Sequence, residues 1–255
     1  YKLTPVWSLA ANGAYTERAP TFYELYANGP HAATGQYLVG DQNLGKERAW
    51  SGDLSLRYKD GTDHGSVGVF YSSFANYLAE TNTGRYRNDD GDVVAAGDDG
   101  ALPEARYQGV SARLYGLEAE NVTRILQRDG HALDLGLSGD YTVSRNRDTG
   151  RSLPRIPPLR LRVALDYGYG PYSAGVSVSK AFAQHDHPAN DTSTPGYYSL
   201  DANAGYRFKA TGVQWQAYVR GINLTNQDIR YATSVLREVA PEGGRAVLVG
   251  LRGSF

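Results

Sequence analysis

Cysteine and methionine are both absent from the 255 residues of this chain. Without cysteine, the chain has no disulfide bond and no thiolate metal site. Its formal net charge is −1, so it has no basic excess for binding nucleic acid. No apolar run approaches the roughly 20 residues that a membrane-spanning helix needs. The mean hydropathy of −0.48 is typical of a water-soluble chain, but it does not exclude a transmembrane β-barrel, whose strands have only one apolar face.

Tyrosine and glycine are abundant instead, and the apolar residues alternate with polar ones. The chain contains 20 Tyr, which favour strands and membrane interfaces, and 30 Gly, which favour turns. A period of two predicts β-strands. The polar positions carry Arg, Asp, Asn and Gln together with Gly and Ser, which is typical of the water-filled lumen of a membrane barrel. A clear example has Leu159, Leu161, Val163 and Leu165 alternating with Arg160, Arg162, Ala164 and Asp166.

Ten segments show this alternation, and we predict an all-β chain, a transmembrane antiparallel β-barrel. Several segments exceed the usual strand length of soluble proteins, about 5–6 residues. They reach or exceed the roughly 9–11 residues that a tilted membrane strand needs. The predicted strands are 6–18, 47–59, 65–82, 105–125, 132–145, 158–168, 172–183, 197–208, 213–225 and 245–255.

The connections between the predicted strands alternate strictly between short and long. Outer-membrane barrels alternate in this way, with short periplasmic turns and long extracellular loops. A soluble Greek-key sandwich, the main alternative for an all-β chain, has no reason to do so. The short links are 60–64, 126–131, 169–171 and 209–212, and the long links are 19–46, 83–104, 146–157, 184–196 and 226–244.

The last predicted strand ends the chain on an aromatic residue, Phe255. With Val247, Val249 and Leu251 on the same face, it resembles the C-terminal signature strand that the barrel-assembly machinery recognises in outer-membrane proteins. The resemblance implies a periplasmic C-terminus with Phe255 as the assembly signal, and every long link then lies outside the cell.

Three segments resemble those of TonB-dependent receptors, and their order and spacing fit from Tyr1 to Phe255. The segment Glu17-Arg-Ala-Pro-Thr-Phe-Tyr-Glu-Leu-Tyr26 is similar to the family's R-A-P-x-x-x-E-L stretch, and Asn43-Leu-Gly-Lys-Glu47 to the x-x-L-x-x-E that follows it. Tyr115-Gly-Leu-Glu-Ala-Glu120 resembles the G-x-E-x-E strand, and Val219-Arg-Gly-Ile-Asn-Leu-Thr-Asn226 resembles the V-x-N-L-x-N/D segment before the final hairpin.

The resemblance implies a barrel of about 22 strands closed by an N-terminal plug. Residues 1–255 would supply about ten C-terminal strands, and we expect the plug and the early strands to be absent. The chain has no initiator methionine and no signal peptide, and it opens on Tyr1 just ahead of a strand. The plug would connect the receptor to the TonB–ExbB–ExbD complex, which powers uptake of a scarce nutrient across the Gram-negative outer membrane.

Within the family, the segments 26–34 and 238–245 are most similar to zinc receptors of the ZnuD type. This implies zinc as the transported substrate, with haem or a ferric siderophore as the next candidates, and no required cofactor. A passive porin or adhesin barrel without energy coupling remains the alternative function, and a soluble β-sandwich binding module the alternative fold.

The most chemically distinctive segment is Gln184-His-Asp-His-Pro-Ala-Asn-Asp191, on a predicted extracellular loop. His185, Asp186, His187 and Asp191 combine imidazole with carboxylate, which suits Zn²⁺ and similar metals. His31, in the first long link, is a further metal candidate by resemblance. The alternative for all five residues is a solvated polar loop with local hydrogen bonds.

A basic segment predicts a lipid partner, and the absence of catalytic motifs argues against an enzyme. Arg145, Arg147, Arg151 and Arg155 form a basic segment that suits the phosphates of lipopolysaccharide, although a solvated loop explains it as well. No G-x-S-x-G, P-loop or H-E-x-x-H motif occurs, so we expect no enzyme.

Overall fold

A computed structural model describes residues 1–188 and 191–254. Over these residues the fold is one sheet with a single short helix. In chain order the elements are β1 (Trp7–Arg18), α1 (Phe22–Tyr26), β2 (Asn28–His31), β3 (Gln36–Val39), β4 (Glu47–Asp60), β5 (Asp63–Arg87), β6 (Val93–Val94), β7 (Leu102–Arg128), β8 (His131–Asn146), β9 (Arg160–Tyr169), β10 (Tyr172–Ala181), β11 (Tyr197–Ala210), β12 (Val213–Ile222) and β13 (Ala246–Ser254).

Ten long strands form an antiparallel meander in the order β1-β4-β5-β7-β8-β9-β10-β11-β12-β13. Each of the ten predicted strands corresponds to one of them, so the predicted all-β antiparallel fold is confirmed. Among the strands of the described residues, β1 pairs with β4 alone and β13 with β12 alone, so the sheet stays open between its first and last strands. At the start of β1 the free edge also meets residues 1–3, through a bridge between Lys2 and Ser8.

The two ends of the sheet differ as the link lengths predicted. Four turns of two residues join consecutive strands at one end, which we call the short-turn end. Two of them have positive φ at both positions: 50° and 81° in Asp129-Gly130, and 51° and 81° in Thr211-Gly212. This geometry matches the twist of antiparallel strands. The five long loops lie at the opposite end, the long-loop end.

None of the helices in the described residues is long and apolar enough to cross a membrane.

The apolar face of the sheet is exposed. Large side chains along it stay open to the surroundings, for example Leu54 at 45%, Val69 at 48% and Val249 at 83%. A soluble β-sandwich would cover such a face with a second sheet, and the described residues form only one sheet. The sandwich alternative therefore fails.

Aromatic residues border this apolar face at both ends. At the short-turn end, His131 stacks on Tyr169 with ring centroids 4.0 Å apart. Near the long-loop end, Tyr15 and Trp50 lie 4.9 Å apart, and Tyr71 and Tyr115 lie 6.4 Å apart. Such paired borders are typical of barrels whose apolar band ends at two membrane interfaces.

The long-loop end contains structure that the alternation does not predict. The first long link folds into α1 and the β2–β3 hairpin, and β3 pairs in parallel with the start of β7, with Tyr37 opposite Glu104. Strands β5 and β7 extend several residues beyond the predicted bounds to meet it. The alternation predicted only a long link at 19–46, because a hairpin docked on a distant strand leaves no local period.

Helix α1 explains the R-A-P-x-x-x-E-L stretch in physical terms. Thr21 and Glu24 form a capping box, in which each side chain accepts a hydrogen bond from the other residue's amide. The guanidinium of Arg18 binds the Glu24 carboxylate at 2.9 Å and that of Glu47 at 3.3 Å. A Cβ on Gly40 would lie 2.6 Å from the backbone of Leu25, so only glycine lets the chain pass the helix this closely.

We predict that α1 loosens in acid. Burial alone would raise the pKa of Glu24, but hydrogen bonds from Arg18 and Thr21 outweigh it and hold the pKa below its ordinary value of 4.5. A lowered carboxyl pKa stabilises the fold above the unfolded value and loses that contribution as pH falls through the folded value. The protection factors of the Leu25 and Ala27 amides, which correct for the slower intrinsic exchange in acid, are therefore expected to decrease as the pH falls below about 4.5. In Glu24→Gln the exchange should already be faster at neutral pH, without this acid step; an identical acid step would contradict the assignment.

Candidate functional site at the long-loop end

The third long loop, 147–159, folds back over the polar face of the sheet. Its Leu153 and Ile156 are buried against Ala79, Val110 and Ala112. Because Ala112 belongs to the polar face of β7, this small core lies inside the curve of the sheet. The loop therefore narrows the space above the polar face and gives the other loops a surface to pack on.

A cavity of about 340 Å³ lies at this end of the molecule. It is lined by the tip of the β2–β3 hairpin, by Glu80 of β5, and by residues of the third, fourth and fifth long loops. The lining residues are Ala32–Gln36, Glu80, Pro154, Arg155, Pro188, Asp191, Thr192, Ser234, Val235 and Arg237–Val239. Four loops that are far apart in sequence therefore meet around one space.

Ion pairs join these loops at the cavity wall. Arg155 Nη2 lies 3.1 Å from Glu80 Oε2, which ties the third loop to β5. Arg237 is nearly buried, and its guanidinium binds Asp191 of the fourth loop as well as Glu238, at 3.3 Å from Oε1. Charge-assisted hydrogen bonds of this kind are stronger than neutral ones. The fourth and fifth loops are therefore held together.

His185 and His187 converge on one hydroxyl group. The Nδ1 atom of His185 and the Nε2 atom of His187 each lie 3.3 Å from Ser193 Oγ. Sequence reasoning placed the two imidazoles in the same loop but missed Ser193, which brings them to one point. His187 Nδ1 also lies 2.8 Å from the carbonyl oxygen of Pro188.

The two carboxylates predicted beside these histidines have arginine partners. Asp186 binds Arg145 at the end of β8, and Asp191 binds Arg237 of the fifth loop. Within the part of the chain that the structure describes, no group of three or more His, Cys, Asp or Glu side chains is arranged to hold a metal ion. The structure thus brings the histidines together and pairs the carboxylates with arginines of β8 and of the fifth loop.

His31 lies at the end of β2, next to the cavity-lining Ala32. Its Nδ1 lies 2.9 Å from Thr34 Oγ1, and its ring meets the edge of Tyr23 with centroids 6.4 Å apart.

The predicted assembly signal, Phe255, and residues 189–190 of the fourth loop lie outside the described residues.

Together, these features define a class of protein: the wall of an antiparallel β-barrel with an exposed apolar face and a loop-lined mouth. The model of the family described as TonB dependent receptor-like, beta-barrel matches residues 1–224. The chain belongs to this family, which is one of transport receptors rather than enzymes.

Solved structures share the fold. The copper transporter OprC is 21% identical, with a TM-score of 0.75, over 98% of this chain and 38% of its own. A mutant of the ferric enterobactin receptor PfeA from Pseudomonas aeruginosa is 20% identical, with a TM-score of 0.69, over 98% and 38%. The siderophore receptor PirA from Acinetobacter baumannii is 17% identical, with a TM-score of 0.66, over 98% and 39%. The present chain spans about two fifths of the length of these proteins.

Proposed function

We propose that this chain is the C-terminal part of the barrel of a TonB-dependent outer-membrane receptor that takes up a scarce nutrient, with zinc as the favoured substrate. The observation that carries the proposal is the meeting of four loops around the cavity above the polar face. Such a mouth binds a solute and passes it inward, and it needs no bond-making chemistry.

Two features support a larger barrel in the outer membrane. The exposed apolar face with its aromatic borders suits lipid. In the described residues the free edge of β13, and that of β1 beyond Leu9, pair with no other strand. These edges need further strands, because hydrocarbon does not satisfy open backbone hydrogen-bonding groups. The remaining strands and an N-terminal plug would complete the barrel, with the plug engaging TonB–ExbB–ExbD. The barrel-assembly machinery would read the last strand and Phe255.

The pair of imidazoles on Ser193 favours a borderline metal such as zinc, which binds histidine nitrogen readily. In this proposal Asp186 and Asp191 position the loop through their arginines, while His185 and His187 capture the ion. His31 serves as a second contact nearer the cavity.

A second candidate substrate is an anionic metal chelate, such as a ferric siderophore or haem. The guanidinium groups of Arg155 and Arg237 line the cavity beside the carboxylates that pair with them, and an anion would compete for these donors. The cavity volume falls within the range of about 300–1,000 Å³ for small-molecule sites.

The test uses the complete receptor in cells starved of zinc. Removing both imidazoles in His185→Ala/His187→Ala is expected to weaken zinc binding at least about tenfold, because His31 supplies only one nitrogen and the loop carboxylates are paired with arginines. Binding is measured by calorimetry on the purified receptor, and uptake with radioactive zinc, with and without TonB.

The matched control is His64→Ala at the short-turn end, where His64 Nδ1 lies 3.0 Å from the Thr62 carbonyl oxygen. It should leave zinc binding unchanged. Zinc affinity that survives loss of both loop histidines removes the fourth loop from the site. TonB-dependent uptake of a ferric chelate without zinc binding selects the chelate, and uptake that ignores TonB selects the passive porin.

A further inference from the structure

Two arginines lie directly opposite each other across the β7–β8 ladder, Arg113 on β7 and Arg145 on β8. Their neighbours on the same face are the pair Tyr115 and Val143 and then the pair Leu117 and Tyr141. Both guanidinium-bearing positions therefore belong to the apolar outer face of the sheet. Like charges directly opposite each other destabilise a ladder unless an anion lies between them.

The height of this pair is set by the apolar face beneath it. From Leu133 to Val143 the apolar positions of β8 span ten residues, about 33 Å along the strand at 3.3 Å per residue. At a strand tilt of about 45° this is about 23 Å along the membrane normal, and the apolar band of an outer-membrane barrel is about 25 Å tall. Arg145 is the next outward position, so the arginine pair falls at the level of the outer headgroups.

Arg113 is the member of the pair without a carboxylate. Its guanidinium carbon lies 5.9 Å from the centre of the Tyr115 ring, and no ion pair of the described residues includes it. Arg145 binds Asp186, which neutralises one of the two charges. The exposed Arg147 follows two residues further out, where its amide donates to the Ser111 carbonyl oxygen and continues the ladder. A net positive charge therefore remains directly above an apolar wall.

We infer that Arg113 and Arg145 form a binding site for a phosphate group of the outer-leaflet lipid, lipopolysaccharide. Guanidinium groups bind phosphate with paired charge-assisted hydrogen bonds. The acyl chains of the same lipid lie against the apolar surface of Tyr115, Leu117 and Tyr141. The site needs both parts, which distinguishes a lipid phosphate from a free one. The inference depends on the outer-membrane placement proposed above.

The basic segment 145–155 thus divides between the two faces of the sheet. Arg155 turns inward to Glu80 at the cavity, whereas Arg145 stays on the outer ladder. Sequence alone groups these arginines in one basic segment. The structure separates Arg155, which pairs with Glu80, from Arg145, whose register in β8 places it on the outer face.

The experiment uses the complete receptor, purified in mild detergent and analysed by native mass spectrometry after addition of lipid A. We expect the parent protein to retain a bound lipid A, and Arg113→Gln/Arg145→Gln to bind it at least about tenfold more weakly, as expected for two lost charged hydrogen bonds. Arg113→Lys should recover part of the binding. The control Arg57→Gln/Arg207→Gln removes the same charge from the polar face, where Arg57 and Arg207 lie opposite Ser66 and Gln216, and it should bind like the parent.

Folding is checked separately by the gel mobility shift between unheated and heated samples. A folded double variant that retains lipid A like the parent overturns the inference, as does equal retention of dephosphorylated lipid A. Displacement of lipid A by millimolar inorganic phosphate would identify a free-anion site instead. A receptor that never folds in detergent or membranes contradicts the outer-membrane proposal itself, so the two failures are distinguishable.

Discussion

Replacing Glu104 by alanine is expected to release the β2–β3 hairpin from β7. The Glu104 side chain is fully buried. Its Oε2 accepts a hydrogen bond from Arg87 Nε, and its Oε1 forms an ion pair with Arg85, 2.9 Å from Nη2. The guanidinium of Arg87 also lies 5.5 Å from the centre of the Tyr37 ring, which belongs to the docked strand β3. Without the carboxylate, Arg87 becomes a largely buried charge without a counterion.

Breaking a buried ion pair by removing one partner costs about 3–5 kcal/mol. This energy is expected to be lost from the free energy with which the β2–β3 hairpin docks on β7. Hydrogen exchange at the β3 amides of Leu38 and Val39 should then accelerate by about a hundredfold or more. Glu104→Gln keeps the shape and an acceptor for Arg87, so it should give a smaller increase. The control is Arg128→Ala, whose pair with Asp129 is 82% and 78% exposed and adds almost nothing. Unchanged exchange at β3 in Glu104→Ala would show that the ion pair does not hold the hairpin.

Asn223→Ala is the second change with a large expected effect, and it concerns the fifth long loop. Asn223 is 1% exposed and follows β12 with a φ of 48°. Its Nδ2 donates to the carbonyl oxygens of Gln227 at 2.9 Å and Gly243 at 3.4 Å, and its Oδ1 accepts from the Gln227 amide at 2.9 Å. One side chain therefore ties both ends of the loop to the end of the strand.

Alanine loses all three hydrogen bonds. It also keeps a left-handed backbone, which asparagine tolerates but which costs alanine about 1–2 kcal/mol. The Gln227 amide left unsatisfied adds about 1–3 kcal/mol, so we expect a local loss of about 3 kcal/mol. Limited proteolysis within 223–245 and exchange of the Gln227 amide measure it. Asn223→Asp retains the acceptor and tolerates positive φ, so it should lie between the parent and alanine. Equal cleavage rates for all three proteins would mean that the loop is held elsewhere.

The ten long strands are predictable from sequence because an exposed apolar face and a polar face impose a strict period of two on every strand. The turns are predictable as well, since Asp129-Gly130 offers the residues that a two-residue hairpin favours. The parallel pairing of β3 with β7 is not, because Tyr37 and Glu104 are distant in sequence and a four-residue strand has no clear period. Helix α1 did leave one signal, the capping box of Thr21 and Glu24.

The candidate site was predictable in part. The pattern His-x-His placed His185 and His187 in a loop at the correct end of the sheet. The arginine partners of Asp186 and Asp191 were not foreseeable, because Arg145 and Arg237 lie 41 and 46 residues away in sequence. Local sequence shows that a loop is charged, but the register of the sheet decides which charges meet.

The connectivity of the sheet also bears on how it forms. Since each long strand pairs with its neighbour along the chain, the contact order is low for an all-β protein. Hairpins can close one after another, four of them across two-residue turns and the others across the long loops, whose closure costs only slightly more for each added residue. The exception is β3, which must wait until β5 and β7 have paired before its parallel site exists. The β2–β3 hairpin at the long-loop end is therefore expected to fold last, after the long strands beneath it have paired.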